Sequence, residues 1–99
     1  MPKTAVPAPE RHRAEGQRCL SVVIPAFNEQ ATIQQILERV LASPFTAEVV
    51  VVNDASTDAT AAIVRSIKDK RVRLLEQPQN QGKGAALRRG FAEATQPYV

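Results

Sequence analysis

The chain has 99 residues, of which 43% are hydrophobic, and a formal net charge of +3, which allows one small domain and not two. The charge is mild and scattered and only 4% of the residues are aromatic, so neither a nucleic-acid patch nor a base-stacking platform is indicated. The single cysteine and single histidine exclude an intramolecular disulfide and a zinc site made from these two alone, and no apolar run approaches the roughly 20 residues of a membrane span.

Residues 1–18 differ in composition from the rest of the chain. They carry three prolines and several charges, without the apolar periodicity of a helix or strand, and this predicts a disordered tail. They also lack the apolar segment of a signal peptide. A membrane-surface or partner-binding role for Arg11, His12 and Arg13 stays open. We therefore assign the folded domain to residues 19–99.

The first strand and helix follow directly. Leu20–Ile24 is rich in β-branched residues and predicts a strand that Pro25 ends. Residues 30–41 repeat apolar side chains with a period typical of an amphipathic helix. Asn28 is the candidate N-cap of this helix, and Glu29 falls in its first turn, where a negative charge suits the helix dipole.

The second strand is the most buried element that the sequence predicts. Four consecutive valines, Val49–Val52, show no polar alternation, as is typical of a strand covered on both faces of a parallel sheet. The run ends on Asn53 and Asp54. A carboxylate that closes such a strand has no evident role in the core, so we expect Asp54 to be functional.

A second helix, a third strand and a third helix complete the order. The second helix is expected over residues 58–69 with Ser56 or Thr57 as its cap, and the third strand at Val72–Glu76, near a sheet edge. Residues 78–84 read as a loop and residues 85–94 as a helix whose Gly90 indicates close approach to the sheet. The predicted apolar faces are Ala59, Ala62, Ile63 and Ile67 in the second helix, and Leu87, Gly90, Phe91 and Ala94 in the third.

The order βαβαβα predicts a three-layer, Rossmann-like α/β fold with a parallel sheet. Tyr98-Val99 reads as the start of a fourth strand, so we expect the chain to be a fragment of a longer protein. The strand-to-helix loops should share the carboxyl edge of the sheet, where open α/β sheets bind ligands. Carboxylates there can accept bonds from ribose and base, and a lysine between glycines can reach phosphate.

Plainer roles stay open for the same side chains: Glu29 and Asp58 can serve only the helix dipoles, and Lys83 can be a solvated loop residue. Known phosphate motifs do not fit. Gly82-Lys83 is followed by Gly84 and lacks the earlier glycine of a P-loop, and the third glycine of a dinucleotide fingerprint is also missing.

Three segments carry a family resemblance: V-V-I-P-A-F-N-E at 22–29, V-V-V-N-D-A-S-T-D-A-T at 50–60, and N-Q-G-K-G-A-A-L-R-R-G-F at 80–91. They resemble the family 2 glycosyltransferases of the GT-A fold, above all the polyprenyl- or dolichyl-phosphate sugar transferases. The resemblance implies that the chain is the nucleotide-sugar-binding part of an inverting enzyme that uses a UDP- or GDP-sugar. The nucleotide-binding residues that it implies are Pro25, Ala26, Phe27, Glu29, Asp54, Gly82, Lys83, Gly84 and Arg88.

Some positions depart from the family pattern. Phe27 stands where tyrosine is common, Asn53 where an aspartate is common, and Ala55 and Ala59 where glycines are common, which can stiffen or shift that turn. The resemblance places the D-x-D metal motif and the catalytic base beyond Val99. It implies Mg²⁺ or Mn²⁺ for the complete enzyme, no metal bound by this chain alone, and no transfer activity of this chain alone.

The resemblance also implies the partners: a nucleotide-diphosphate sugar, and a lipid-phosphate or cell-envelope glycan acceptor for the complete protein, with no nucleic acid. We expect a cytoplasmic location, with the inner face of the membrane as a narrower option. Two alternatives stay open, a non-catalytic nucleotide-binding module and a ligand-free α/β interaction domain whose acids only cap helices. Neither the sugar nor the oligomeric state can be read from the sequence.

Overall fold

The computed structural model describes residues 19–96. The predicted tail and the predicted fourth strand at Tyr98-Val99 lie outside these residues. The elements alternate as β1 (Leu20–Ala26), α1 (Ile33–Ala42), β2 (Thr46–Asn53), α2 (Thr60–Ser66), β3 (Val72–Glu76) and α3 (Lys83–Glu93). The strands form a parallel sheet in the order β1-β2-β3. The predicted α/β fold with its parallel sheet is confirmed.

The sheet is covered on both faces, which gives the three layers. On one face, α1 and α2 bury Ile33, Leu37 and Val64 against Val49 and Val51 of β2. On the other face, Ala86 of α3 packs against the alternate valines of the same strand. All four valines of Val49–Val52 are fully buried, as predicted, because β2 has a neighbouring strand on each side and helices above and below.

The predicted end of β1 is wrong. Pro25 does not stop the strand but pairs with Val52 inside it. The carbonyl of the next residue, Ala26, accepts the Asp54 N–H, so the alternation of a strand turns the Pro25 nitrogen away from β2. Among the described strands β1 has no neighbour on that side, so the missing N–H removes no hydrogen bond there.

The start of α1 is also corrected. The helix begins at Ile33 with Thr32 at its N-cap position, and no side chain caps it. Asn28 lies four residues earlier and its side chain bonds to another loop. The helix was predicted to end at residue 41, and it ends at Ala42 with Ser43 as its C-cap.

The second helix is shorter than predicted, and its buried face agrees with the prediction only in part. It starts at Thr60 with Ala59 at the N-cap, and neither Ser56 nor Thr57 caps it. Ala59 and Ala62 are exposed, whereas Thr60 and Val64 are buried. The other two residues of the predicted face, Ile63 and Ile67, are partly buried against the core, as predicted. Thr60 can be buried because its hydroxyl has partners on Glu29 and Asp58.

β3 has the predicted bounds and forms an edge of the described sheet. α3 begins at Lys83, so Lys83 and Gly84 belong to the helix and not to the loop. Gly90 is buried, as predicted, and a side-chain carbon there would overlap with Val23. Phe91 was assigned to the same face but is 52% exposed.

A buried polar cluster closes the amino edge of the sheet, at the opposite end from the strand-to-helix loops. Its centre is Glu48 of β2, which is 7% exposed. Glu48 accepts hydrogen bonds from Ser21 of β1 at 2.7 Å, Arg73 of β3 at 2.8 Å and the Thr95 N–H at 3.0 Å. Arg73 also bonds to Glu93 at the end of α3. The cluster thus joins all three strands to the segment that follows α3.

Candidate functional site

A cleft opens at the carboxyl edge of the sheet, where the three strand-to-helix connections meet. Its empty volume is about 300 Å³. Because parallel strands present their carboxyl ends at one edge, residues distant in sequence come together here. The cleft is lined by six of the nine residues predicted to bind nucleotide: Pro25, Ala26, Phe27, Glu29, Asp54 and Lys83.

One wall of the cleft is the end of β1 and the residues just after it. Ala26 is buried, whereas Phe27 is 46% exposed and offers an accessible aromatic surface. The Glu29 side chain is exposed, and its Oε1 accepts a bond from the Thr32 hydroxyl at 3.3 Å. The wall therefore combines an apolar surface with a carboxylate.

Asp54 lies at the end of β2 and is 3% exposed. Its Oδ1 accepts the Gln81 N–H and its Oδ2 accepts the Gly82 N–H, both at 2.9 Å. The expectation that Asp54 has no structural role is therefore wrong, because its carboxylate holds the loop between β3 and α3. Each oxygen keeps a second lone pair for a further donor.

Of the last four predicted residues, only Lys83 lines the cleft. Gly82 has φ +92° and gives its N–H to Asp54, so it shapes the cleft from behind. Lys83, the first residue of α3, is exposed and lines the cleft. Gly84 is the next residue of α3 and Arg88 lies about one turn beyond it. Arg88 Nη1 is 3.5 Å from where a Gly84 Cβ would stand, and neither residue lines the cleft.

Hydrogen bonds that the sequence did not predict fix the cleft wall. The loop after β1 and the loop between β2 and α2 exchange hydrogen bonds between backbone amides and side-chain oxygens. Asn28 gives its N–H to Ser56 Oγ at 2.9 Å, and Asn28 Oδ1 accepts the Thr57 N–H at 2.8 Å. The Glu29 N–H bonds to Thr60 Oγ1 at 2.9 Å. Local sequence rules could not find these pairs, because the partners are about 30 residues apart.

Asp58 also belongs to this contact between loops. It accepts the Gln30 N–H on Oδ2 and the Thr60 N–H on Oδ1. Burial alone would raise the pKa of Asp58, but the hydrogen bonds from Thr60 and Gln30 outweigh it and hold the pKa below its ordinary value. The carboxylate is thus kept as an acceptor that joins the loops.

The described residues do not offer a metal centre. No group of three or more His, Cys, Asp or Glu side chains within residues 19–96 could hold a metal ion. Asp54, the buried acid in the cleft, already accepts two backbone N–H groups. Within the same range no helix has the length and apolar character needed to cross a membrane.

The chain is an α/β domain with an open parallel sheet, and its cleft lies at the carboxyl ends of the strands, where ligands bind in proteins of this class. The sequence pattern of the family described as Glycosyl transferase family 2 matches residues 21–99, and the chain belongs to that family. The predicted family membership is thereby confirmed.

Relatives and a solved structure agree with this assignment. Dolichyl-phosphate beta-glucosyltransferase ALG5C of Trichomonas vaginalis is 38% identical over an alignment of 100 positions, which covers 90% of this chain and 29% of the relative. Dolichyl-phosphate beta-glucosyltransferase of Drosophila melanogaster is 40% identical over an alignment of 88 positions, which covers 76% of this chain and 27% of the relative. The chain thus spans less than a third of the length of either relative.

One similar solved structure is the mannosyltransferase PcManGT from Pyrobaculum calidifontis in complex with GDP-Man and Mn²⁺. It shares 31% sequence identity with this chain and superimposes with a TM-score of 0.71, over 80% of this chain and 25% of that one.

Proposed function

We propose that the cleft binds the nucleotide part of a UDP- or GDP-sugar, and that the complete protein is an inverting glycosyltransferase. The observation that carries the proposal is the meeting of Glu29, Asp54 and Lys83 in one cleft at the carboxyl edge of the sheet. Membership of the family and the similarity to a mannosyltransferase that holds GDP-Man support it. The proposed acceptor is a lipid phosphate or a glycan, in keeping with the names of the dolichyl-phosphate relatives.

The chemistry of the lining residues suits a nucleotide. Pro25 and Phe27 offer an apolar wall against which a base or ribose can pack. Glu29 and Asp54 supply carboxylate oxygens that accept hydrogen bonds from ribose hydroxyls and from a base N–H. Lys83 makes no ion pair with any of residues 19–96 in this structure, so its ammonium is available to a diphosphate.

For the complete enzyme we propose a divalent cation, Mg²⁺ or Mn²⁺, which would neutralise the leaving diphosphate. Residues 19–96 do not fit that ion, so we assign none of them to it and derive no step through it. The catalytic base of an inverting reaction is likewise not assigned to these residues. A cytoplasmic location is part of the same proposal.

The test is the thermal stability of the purified chain with UDP or GDP, each with and without Mn²⁺. A ligand that binds only the folded state raises the melting temperature in proportion to the logarithm of its concentration. We expect one of the two nucleotides to raise it. A chain that neither nucleotide stabilises would instead support the ligand-free interaction domain, and binding without turnover by the complete protein would support the non-catalytic module.

The matched variants are Lys83→Ala and Lys70→Ala. Both remove one exposed lysine, but Lys70 precedes β3 at the opposite edge of the sheet. We expect Lys83→Ala to weaken binding of the nucleoside diphosphate about 3- to 30-fold, as for the loss of one charge-assisted contact. Lys70→Ala should leave it unchanged. Equal affinities for the two variants would refute the role of Lys83.

A further inference from the structure

The loop after β1 and the loop between β2 and α2 are joined by hydrogen bonds beside the cleft. Of the residues that make these bonds, only Glu29 lines the cleft, so the role of the others is not direct contact with a ligand in the cleft. Five backbone N–H groups on these loops donate to side-chain oxygens of the opposite loop. Three donors belong to the loop after β1 and two to the loop between β2 and α2. They are Asn28, Glu29, Gln30, Thr57 and Ala59.

The loop after β1 both contacts the neighbouring loop and forms a wall of the cleft, and its backbone conformation assigns these two roles to different residues. Asn28 has φ +52°, in the left-handed region, which asparagine tolerates better than most residues. The residues on either side, Phe27 and Glu29, line the cleft. The Asn28 side chain instead reaches Thr57 on the other loop. One residue is thus tied to the neighbouring loop while its two neighbours in sequence form the cleft wall.

The wall residues have little else to hold them. Phe27 is 46% exposed. The Glu29 carboxylate accepts one bond, at 3.3 Å, from Thr32 of the same loop. Their positions are therefore set by the backbone, and the backbone is held by the N–H groups of Asn28 and Glu29 that donate to Ser56 and Thr60.

We propose that Asn28 and Ser56 are positioning residues, which preorganise the nucleotide-binding wall without touching the nucleotide. This inference rests on the proposed function. If the wall is ordered before the ligand arrives, binding does not have to order it. When these hydrogen bonds are lost, only a fraction of molecules holds the binding-competent wall, and the apparent affinity falls by that fraction.

Two variants remove the hydrogen bonds with little other change. Asn28→Gly keeps the left-handed backbone accessible but loses the oxygen that accepts the Thr57 N–H. Ser56→Ala removes the hydroxyl that accepts the Asn28 N–H and should leave the rest of the fold unchanged. It provides the test of the inference if Asn28→Gly does not fold. Asn28→Asp is the conservative variant, because it retains an acceptor at the same atom and tolerates the same backbone.

The experiment combines amide hydrogen exchange of the free chain with calorimetric titration of GDP and UDP at about 0.3 M salt, which screens the charge that Asn28→Asp adds. We expect faster exchange at Thr57, Glu29 and Gln30 in Asn28→Gly, together with about tenfold weaker binding of the nucleotide that the unaltered chain binds. Ser56→Ala should act in the same direction through the Asn28 N–H, and Asn28→Asp should restore both slow exchange and affinity.

Glu48→Gln is the matched control, because Glu48 lies in the cluster at the opposite edge of the sheet. It should lower the melting temperature and leave nucleotide affinity unchanged. This result would show that a loss of stability alone does not weaken nucleotide binding. Unchanged exchange in Asn28→Gly, or faster exchange with unchanged affinity, would overturn the inference. If the unaltered chain bound neither GDP nor UDP, the proposed function would fail and this inference with it, even where exchange showed the two loops to be joined.

Discussion

Two non-glycine residues in the loops at the carboxyl edge have left-handed backbone, Asn28 at φ +52° and Ala55 at φ +60°. Asparagine accepts this conformation at modest cost, but for alanine the contact between Cβ and the carbonyl costs roughly 1–2 kcal/mol. Ala55 follows the buried Asp54, whose backbone is fixed by pairing with Ala26. The turn therefore carries a local strain that the surrounding hydrogen bonds hold in place.

At this position glycine should stabilise the chain. We expect Ala55→Gly to raise the free energy of unfolding by about 0.5–1 kcal/mol, since relief of strain exceeds the added entropy of the unfolded chain. The corresponding rise in melting temperature is about 2–8 °C. Ala62→Gly, on the exposed side of α2, should instead cost about 1 kcal/mol. A loss of stability in both variants would show that the backbone at Ala55 is unstrained.

At the scale of an element, α3 approaches the sheet through a glycine. A Cβ at Gly90 would overlap with Val23 Cγ1 and lie 3.3 Å from Val52 Cγ2. Because α3 alone covers this face among the described residues, its distance from the sheet sets the position of its first residue, Lys83. Packing at Gly90 therefore influences the cleft at the other end of the helix.

Alanine at the two glycines of α3 should have opposite effects. We expect Gly90→Ala to lower the free energy of unfolding by about 1–3 kcal/mol through overpacking. At Gly84 the nearest atom is the flexible Arg88 Nη1 at 3.5 Å, so Gly84→Ala should be neutral or stabilising by up to about 1 kcal/mol. Urea unfolding of both variants measures the difference. Equal effects would mean that α3 can move away from the sheet at no cost.

The sequence predicted correctly those elements whose burial and bounds follow from the local pattern of apolar and polar residues. The valines of β2 and the bounds of β3 are examples, because burial on both faces and β-branched composition are visible in the chain itself. The face of α2 was predicted only in part. Ile63 and Ile67 pack against the core as predicted, but Thr60 was left out because it is polar, although it is fully buried. A distant residue, Glu29, donates to its hydroxyl, and no local pattern contains that partner.

The candidate site likewise contains residues that the sequence predicted correctly and residues whose contacts depend on distant partners. The resemblance brought together residues that the structure places around one cleft, whereas the capping rule assigned Asn28 to α1. A side-chain oxygen that could cap its own helix finds the Thr57 N–H of another loop instead. At Asn28 a tertiary contact therefore prevailed over the local one that the capping rule predicts.

Over the whole molecule, the two edges of the sheet are held by different interactions. The carboxyl edge is held by backbone N–H groups that donate to side chains, and the amino edge by the charged cluster around Glu48. Burial would raise the pKa of Glu48, but hydrogen bonds from Arg73, Ser21 and Thr95 lower it from its ordinary 4.5 to about 2. The ionised form is thus the one that stabilises the fold.

Because the folded pKa lies below the unfolded one, the contribution of Glu48 is complete above about pH 4.5 and is lost as the pH falls toward 2. We expect Glu48→Gln to cost about 1–3 kcal/mol at pH 7 and to lose less stability than the unaltered chain between pH 5 and pH 2.5. Melting temperatures across this range measure both effects.

Glu93→Gln is the control, since Glu93 also bonds to Arg73 but its side chain is 47% exposed. Exposed ion pairs contribute about 0–1 kcal/mol, so this variant should follow the pH profile of the unaltered chain. Parallel profiles for Glu48→Gln and the unaltered chain would contradict the lowered pKa.

Asp54 has a consequence for how the cleft can be studied. Its two oxygens hold the loop that leads into α3. Alanine at Asp54 should therefore lower the stability of the fold strongly, whether or not the side chain also contacts a ligand. Substitution of this residue cannot separate recognition from architecture. The informative change is in the ligand: if Asp54 accepts a hydrogen bond from the base as proposed, a nucleotide methylated at the donor nitrogen of its base should bind more weakly, and the protein itself is unaltered.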